Sequence, residues 1–241
     1  MRAVAILTAA GSGTRLGHVL PKALVPLAGI PLVVRAAHAL ASSGVVRRVV
    51  VTAPLEALDE VRAAVGDGPG LEVVPGGATR QASVAAALAR LADEPGETVV
   101  LVHDAARPLV PVRVVRRVVG AVALGRTAVV PVLPVVDTIK RVAGDDGAVA
   151  ETLDRRELRA VQTPQGFTLD VLRAAHAAAA HRAGDEALAA TDDAGLVEAA
   201  GGRVWVVEGH EDAMKITTPR DLAVATALVA SIAPSPVEAR A

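Results

Sequence analysis

Short runs of β-branched and aliphatic residues alternate along this chain with longer segments whose apolar residues recur every three or four positions. Val4–Leu7, Val45–Val51, Leu71–Val74, Thr98–Val102 and Thr127–Leu133 are runs of strand length. Val4–Leu7 shows no polar alternation at all, as suits a parallel strand buried on both faces. Between these runs, Pro31–Ser43, Leu55–Val65, Thr79–Leu91 and Val112–Leu124 read as helices, with Pro31 suited to a first helical turn. This βαβα order predicts a mainly parallel sheet with helices on both faces.

The rhythm breaks at Pro134. Residues 134–159 carry short alternating segments around Gly144-Asp145-Asp146-Gly147, a strong turn signal, and predict a β-arm projecting from the α/β body. Helical patterns return at Leu169–His181 and Thr191–Ala200, followed by a strand at Arg203–Val207 and a helix at Asp221–Ser231. Residues 1–232 are therefore expected to form one domain with the arm inserted. Residues 233–241 are expected to be a disordered tail.

Composition narrows the function. Of the 241 residues 52% are hydrophobic but only 1% aromatic, Phe167 and Trp205 being the only two. Ala, Val and Leu must then fill the core, and stacking platforms for single-stranded nucleic acid are missing. A formal net charge of −1 with no basic run also argues against a nucleic-acid partner. The chain has no cysteine, hence neither disulfides nor thiolate metal sites. No apolar run is long enough to span a bilayer, and the first residues run straight into a strand, so a cytoplasmic location without membrane attachment is expected.

The richest stretch is Thr8-Ala9-Ala10-Gly11-Ser12-Gly13-Thr14-Arg15-Leu16-Gly17, continuing to Pro21-Lys22. Gly11 and Gly13 let backbone N–H groups approach a ligand closely, and Arg15 and Lys22 add two cations, which suits a polyphosphate. The spacing excludes a G-x-G-x-x-G dinucleotide fingerprint, and there is no Gly-Lys-Ser/Thr of a Walker A loop. His103-Asp104-Ala105-Ala106-Arg107-Pro108 sits at the C-terminal end of an apolar strand, where open α/β sheets bind ligands. Asp104, facing the first loop, suits Mg²⁺; its plainer role would be a helix cap or a pair with Arg107. His103 reads as a packed, hydrogen-bonded histidine, since magnesium prefers oxygen.

Three further clusters admit two readings each. Gly76-Gly77 before a helix offers backbone donors, with Arg80 and Ser83 placed to read a base or ribose, or else is a plain helix start. Asp212 could give a second metal oxygen and Lys215 a cation for a second substrate, although a loop with a cap at Thr217 or Thr218 explains this segment better. Thr191-Asp192-Asp193 reads first as a helix N-cap, and Gln162–Phe167 as the return from the arm to the body.

Taken together these residues resemble one family, the 2-C-methyl-D-erythritol 4-phosphate cytidylyltransferases. The resemblance is carried by Ala-Ala-Gly-Ser-Gly-Thr-Arg-Leu-Gly, Pro21-Lys22, Gly-Gly-x-x-Arg-x-x-Ser-Val at 76–84 and His-Asp-Ala-Ala-Arg-Pro. It continues with Asp137-Thr138-Ile139-Lys140, Asp154-Arg155, Gln162-Thr163-Pro164-Gln165, Thr191-Asp192-Asp193-Ala194 and the Lys215–Asp221 motif. The resemblance implies a single Rossmann-like nucleotidyltransferase domain and a homodimer in which the β-arm reaches the partner's site. It further implies transfer of CMP from CTP to methylerythritol phosphate with Mg²⁺. By position, Arg15, Lys22, Arg155 and Lys215 match the catalytic set. Ala9, Ala10, Gly11, Gly13, Gly77, Arg80, Ser83, Asp104 and Ala105 match nucleotide-contacting positions. Arg107, Thr138, Arg155, Thr163 and Lys215 match the acceptor side, and Asp104 and Asp212 the metal. One position departs: the family commonly has Asn where this chain has Ala213, which removes a ligand contact and bears on Asp212. The competing readings are a ribitol 5-phosphate cytidylyltransferase, a UTP- or GTP-dependent nucleotide-sugar pyrophosphorylase, and a regulatory nucleotide-binding module without catalysis.

Overall fold

The computed structural model describes residues 2–11 and 16–232. The chain runs β1 (Ala3–Thr8), a small hairpin β2 (Pro26–Leu27) and β3 (Ile30–Pro31), α1 (Leu32–Ala41), β4 (Val46–Ala53), α2 (Leu58–Val65), β5 (Leu71–Pro75) and α3 (Arg80–Ala89). It continues with β6 (Val99–Asp104), α4 (Val112–Ala123), β7 (Ala128–Pro134), β8 (Lys140–Val142), β9 (Val149–Thr152), β10 (Arg159–Val161) and β11 (Gln165–Thr168). The last elements are α5 (Leu169–Ala178), α6 (Asp193–Ala199), β12 (Trp205–Glu208) and α7 (Pro219–Ile232).

The parallel order β5-β4-β1-β6 forms one half of an eight-stranded sheet. The unbroken apolar run of β1 is explained by its two buried faces. Ala3, Ala5 and Leu7 pack with α1, α2 and α4, through residues such as Leu40, Val61 and Val118. Val4 and Ile6 point the other way, toward Val84 of α3, Leu172 of α5 and Leu196 of α6. This is the expected mainly parallel sheet with two helical layers.

The other half of the sheet differs from expectation. β11 inserts antiparallel between β6 and β7, and β10 continues along the same edge of β7. β12 pairs parallel with the far edge of β7, and the Arg203 guanidinium lies 5.6 Å from the Trp205 ring centre. The segment 159–168 does not read as strand in the sequence because its polar members Gln162, Thr163 and Gln165 resemble a loop, yet all three are buried.

Boundaries differ in smaller ways. Pro31 stands at the N-cap of α1 with ψ 144°, one residue outside the helix rather than in its first turn. The helix expected over 55–65 divides into a 3-10 turn at Leu55–Ala57 and α2. α6 starts where Asp192 accepts from the Gly195 N–H, the expected cap. At α7 the Asp221 carboxylate accepts from the N–H groups of Thr217 and Thr218, while the Thr218 hydroxyl accepts from the Asp221 N–H. This reciprocal capping box starts the helix at Pro219, ahead of the expected Asp221. The Thr217 backbone donor leads in holding the Asp221 carboxyl down to about 2.

The arm is present as an antiparallel pair, β8 with β9, outside the main sheet. Its turn follows the expected signal, with Gly144 and Gly147 at φ +70° and +77°, a conformation open to glycine without strain. Every residue of β8 and β9 is exposed, and Val136, Val142 and Val149 are 74%, 55% and 58% exposed. Among the described residues no helix is long and apolar enough to cross a membrane. The expected tail at 233–241 lies outside the described residues.

Candidate active site

A cavity of ≈ 470 Å³ opens over the carboxyl ends of β1 and β6, lined by Ala10, Lys22, Gly77, Arg80, Asp104 and Lys215 among others. Parallel pairing fixes its floor. The Ala9 N–H donates to Thr52 O at 2.9 Å and the Ala105 N–H to Thr8 O at 3.0 Å, so the chain leaves both strands at one level.

The Gly76-Gly77 turn closes one side. The Gly76 N–H donates to Ala53 O at 2.8 Å, and the Gly77 N–H to the Ser83 hydroxyl at 3.1 Å. Ser83 donates back to Thr79 O at 2.9 Å. Thr79 caps α3 by accepting from the Ala82 N–H at 3.0 Å, so the amino end of this helix faces the cavity. A Cβ on Gly76 would stand 2.5 Å from Ala10 Cβ, so only glycine lets this turn approach the first loop.

Asp104 is the charged centre. Its Oδ1 accepts from Arg80 Nε at 3.1 Å and from the Thr8 hydroxyl at 3.3 Å, and its Oδ2 pairs with Lys215 Nζ at 2.8 Å. Burial opposes the charged carboxylate, but Arg80 and Lys215 outweigh it and hold Asp104 well below the usual carboxylate range. The helix-cap and Arg107 readings of Asp104 are not what the geometry shows. Lys215 is brought in by its neighbour Ile216, fully buried, whose N–H donates to Ala106 O at 2.8 Å.

His103 is fully buried between the Thr163 hydroxyl, 2.9 Å from Nδ1, and Arg107 O, 3.2 Å from Nε2. Burial pushes it down to about 4, so it is a neutral packing histidine, as expected. Thr163 also accepts from the Asp104 N–H at 3.1 Å. Its hydroxyl therefore supports Asp104 from behind, between the Asp104 N–H and the His103 ring. Gln162 and Gln165 act similarly. The Gln162 amide donates to His210 O and accepts from the His210 N–H, while Gln165 accepts from the N–H groups of Asp193 and Ala194.

Ala9, Ala10, Gly11, Lys22, Gly77, Arg80, Ser83, Asp104, Ala105 and Lys215 meet at the cavity. Gly13 and Arg15 lie outside the described residues. Arg107 is spent on backbone, donating to Ala213 O at 2.7 Å and Val161 O at 3.3 Å. Ala213 is buried in the core, which is how the loop accommodates a methyl where the family commonly has Asn. Asp212 is partly exposed beside His210, 3.4 Å away, and does not line the cavity. Thr138 and Arg155 stand on the arm segment and are not among the residues that line the cavity. Thr8, Glu186 and Thr217 also line the cavity; Thr8 and Thr217 lie inside motifs read in the sequence without a site role being given to them, and Glu186 lies in none.

The donor set fits one kind of metal. Among the described residues no three His, Cys, Asp or Glu side chains cluster as a cage. The Asp104 carboxylate, with the Thr8 hydroxyl 3.3 Å from it, suits a hard divalent cation whose remaining ligands are phosphate oxygens and water.

The parallel β5-β4-β1-β6 order, with a glycine-flanked cationic cavity at the strands' carboxyl ends, defines a Rossmann-like protein built to hold a nucleotide. The family described as IspD, 2-C-methyl-D-erythritol 4-phosphate cytidylyltransferase, matches residues 3–231. The chain is 55% identical over 232 residues to the protein of that name from Saccharopolyspora erythraea, covering 95% of this chain and all of the relative. It is 52% identical to the one from Rhodococcus opacus, over 94% of each chain. The crystal structure of the enzyme of this name from Thermus thermophilus superposes with a TM-score of 0.74 at 40% identity, covering 95% of this chain and 100% of that one. The chain belongs to the 2-C-methyl-D-erythritol 4-phosphate cytidylyltransferase family.

Proposed function

We propose that this protein transfers CMP from CTP to 2-C-methyl-D-erythritol 4-phosphate, releasing diphosphate, as a cytoplasmic homodimer dependent on Mg²⁺. The observation that supports this best is the convergence of ten of the residues matched to the family's site on one cavity. A phosphate oxygen of the acceptor attacks the α-phosphorus of CTP, a new P–O–P bond forms, and the bond to diphosphate breaks. The acceptor is a phosphate monoester whose second pKa is about 6, so it is largely dianionic at neutral pH and needs no general base. The barrier comes from joining two polyanions, and fixed cations and positioning answer it.

Lys22, together with Arg15, would stabilise charge that builds on the transferring phosphate. Lys215 would orient the acceptor, helped across the dimer by Thr138 and Arg155 of the arm. Ala9–Gly11, Gly77 and Ser83 would hold the nucleoside, and Asp104 the metal, with Asp212 contributing only if its loop moves inward. When bound, the metal supplies charge neutralisation on the triphosphate.

The test is diphosphate release from each of CTP, UTP, GTP and ATP, with methylerythritol phosphate, ribitol 5-phosphate or no acceptor. Release from CTP with methylerythritol phosphate alone supports the proposal. Preference for ribitol 5-phosphate, for UTP or GTP, or no release at all, would return the respective competing reading.

A further inference from the structure

An alternating line of charges runs from the cavity into the body of the protein. It begins with Lys215 and Asp104 and continues through Arg80. The Arg80 Nη1 donates to Asp193 Oδ2 at 2.6 Å, and Asp193 Oδ1 lies 2.8 Å from His176 Nε2. The side chains of Asp193 and His176 are 1% and 6% exposed. Among the described residues, Asp193 and Asp104 are the two carboxylates that pair with Arg80. The backbone of Asp193 is held as firmly, because Gln165 accepts from its N–H and from that of Ala194. A fully buried carboxylate is costly unless something needs it, and the cap of α6 is supplied by Asp192 instead.

We infer that Asp193, oriented by His176, is a positioning residue that acts through Arg80 on Asp104. The reading rests on Asp104 as the metal- and nucleotide-facing carboxylate. Arg80 has one guanidinium to divide between two carboxylates. While Asp193 takes Nη1, only Nε reaches Asp104 and Nη2 has no hydrogen-bond partner, which leaves Asp104 with one bond from Arg80 beside those from Thr8 and Lys215 at the cavity wall. Without the Asp193 charge, Arg80 is free to turn its whole fork onto Asp104, the preferred bidentate geometry. Arg80 would then compete with an incoming divalent cation for the same oxygens. Groups one shell behind a metal ligand commonly alter metal affinity or activity by about 10- to 100-fold.

The test compares wild type, Asp193→Asn, Asp193→Glu and His176→Gln. Three readouts are taken: the Mg²⁺ concentration for half-maximal turnover, Mn²⁺ binding in the presence of CTP by loss of the free-ion paramagnetic resonance signal, and the melting temperature. Asp193→Asn is expected to raise the half-maximal Mg²⁺ and weaken Mn²⁺ binding by about 10-fold or more. Asp193→Glu should recover part of that loss, and His176→Gln should show a smaller loss than Asp193→Asn. A purely structural role would lower the melting temperature and leave both metal readouts at the wild-type value, which overturns the inference. If Asp193→Asn does not fold, His176→Gln decides by the same two metal readouts. Wild type that binds no Mn²⁺ with CTP would instead refute the reading of Asp104 itself.

Discussion

Gly76→Ala tests the architecture of the nucleotide side of the cavity with a single methyl group. The added Cβ would stand 2.5 Å from Ala10 Cβ, 2.9 Å from Ser83 Oγ and 3.4 Å from Ala53 O. Carbon atoms rest at about 3.5–4.0 Å, so the turn and the first loop must separate by roughly 1 Å. Overpacking of this kind costs about 1–3 kcal/mol. At about 2–4 °C per kcal/mol for a chain of this size, the melting temperature should fall by about 2–12 °C. The functional loss should be larger, because a displacement of about 1 Å in a positioned site can cost about 100-fold. Steady-state diphosphate release with varied CTP gives kcat/KM, and a thermal melt gives stability. The variant Gly76→Ala with Ala10→Gly removes the closest collision and should recover much of both, measured against Ala10→Gly alone. The reasoning fails if Gly76→Ala keeps kcat/KM within about 3-fold of wild type, or if the double variant is no better than the single one.

Four further outcomes are expected. Lys22→Ala and Arg15→Ala should each lower kcat by about 100-fold or more with little change in melting temperature, and near-normal kcat in both would remove the cationic mechanism. Chelation with EDTA should abolish turnover and Asp104→Asn should raise the Mg²⁺ requirement sharply, with Asp212→Asn having the smaller effect; turnover in fully metal-free enzyme would refute the role of Asp104. Mixing inactive Lys22→Ala and Arg155→Ala subunits should restore about one quarter of wild-type activity per site if the arm acts across a two-fold dimer. No recovery after verified subunit exchange would mean that Arg155 serves its own protomer. Finally, His103 is held at about 4 when folded against an ordinary 6.5, so the unfolded chain takes up the proton first as pH falls. Its stabilising contribution is full above about 6.5 and is lost toward pH 4, by up to about 3 kcal/mol, and the depressed Asp104 adds loss in the same direction at lower pH. Melting curves from pH 7 to 4 should show this decline, and His103→Gln should flatten it.

Local signals are legible in the sequence and long-range polar ones are not. β1 can be read because a strand buried on both faces writes an uninterrupted apolar run, and the arm because Gly144 and Gly147 supply the positive φ of its turn. Asp104 can be placed because a strand's end in a parallel sheet is a fixed geometric position. The segment 162–165 cannot, since Gln162, Thr163 and Gln165 are buried by satisfying loops far away in sequence, and buried polar residues carry no periodicity. The same holds for Arg80 and Asp193, which meet across 113 positions. Asp192-Asp193 reads like one capping unit, and its two carboxylates turn out to face different partners.

The near-absence of aromatic residues gives the protein an optical property. With one Trp and no Tyr, its ultraviolet emission comes from a single place, Trp205 on β12. That ring sits beside the Arg203 guanidinium on a strand registered against Val129 of β7, an edge outside the nucleotide cavity. Fluorescence therefore reports when this edge of the sheet comes apart, while quenching by a nucleotide would have to be transmitted through β7. A dye-free spectroscopic titration thus separates unfolding of the sheet's edge from events at the cavity, using the chain's own single reporter.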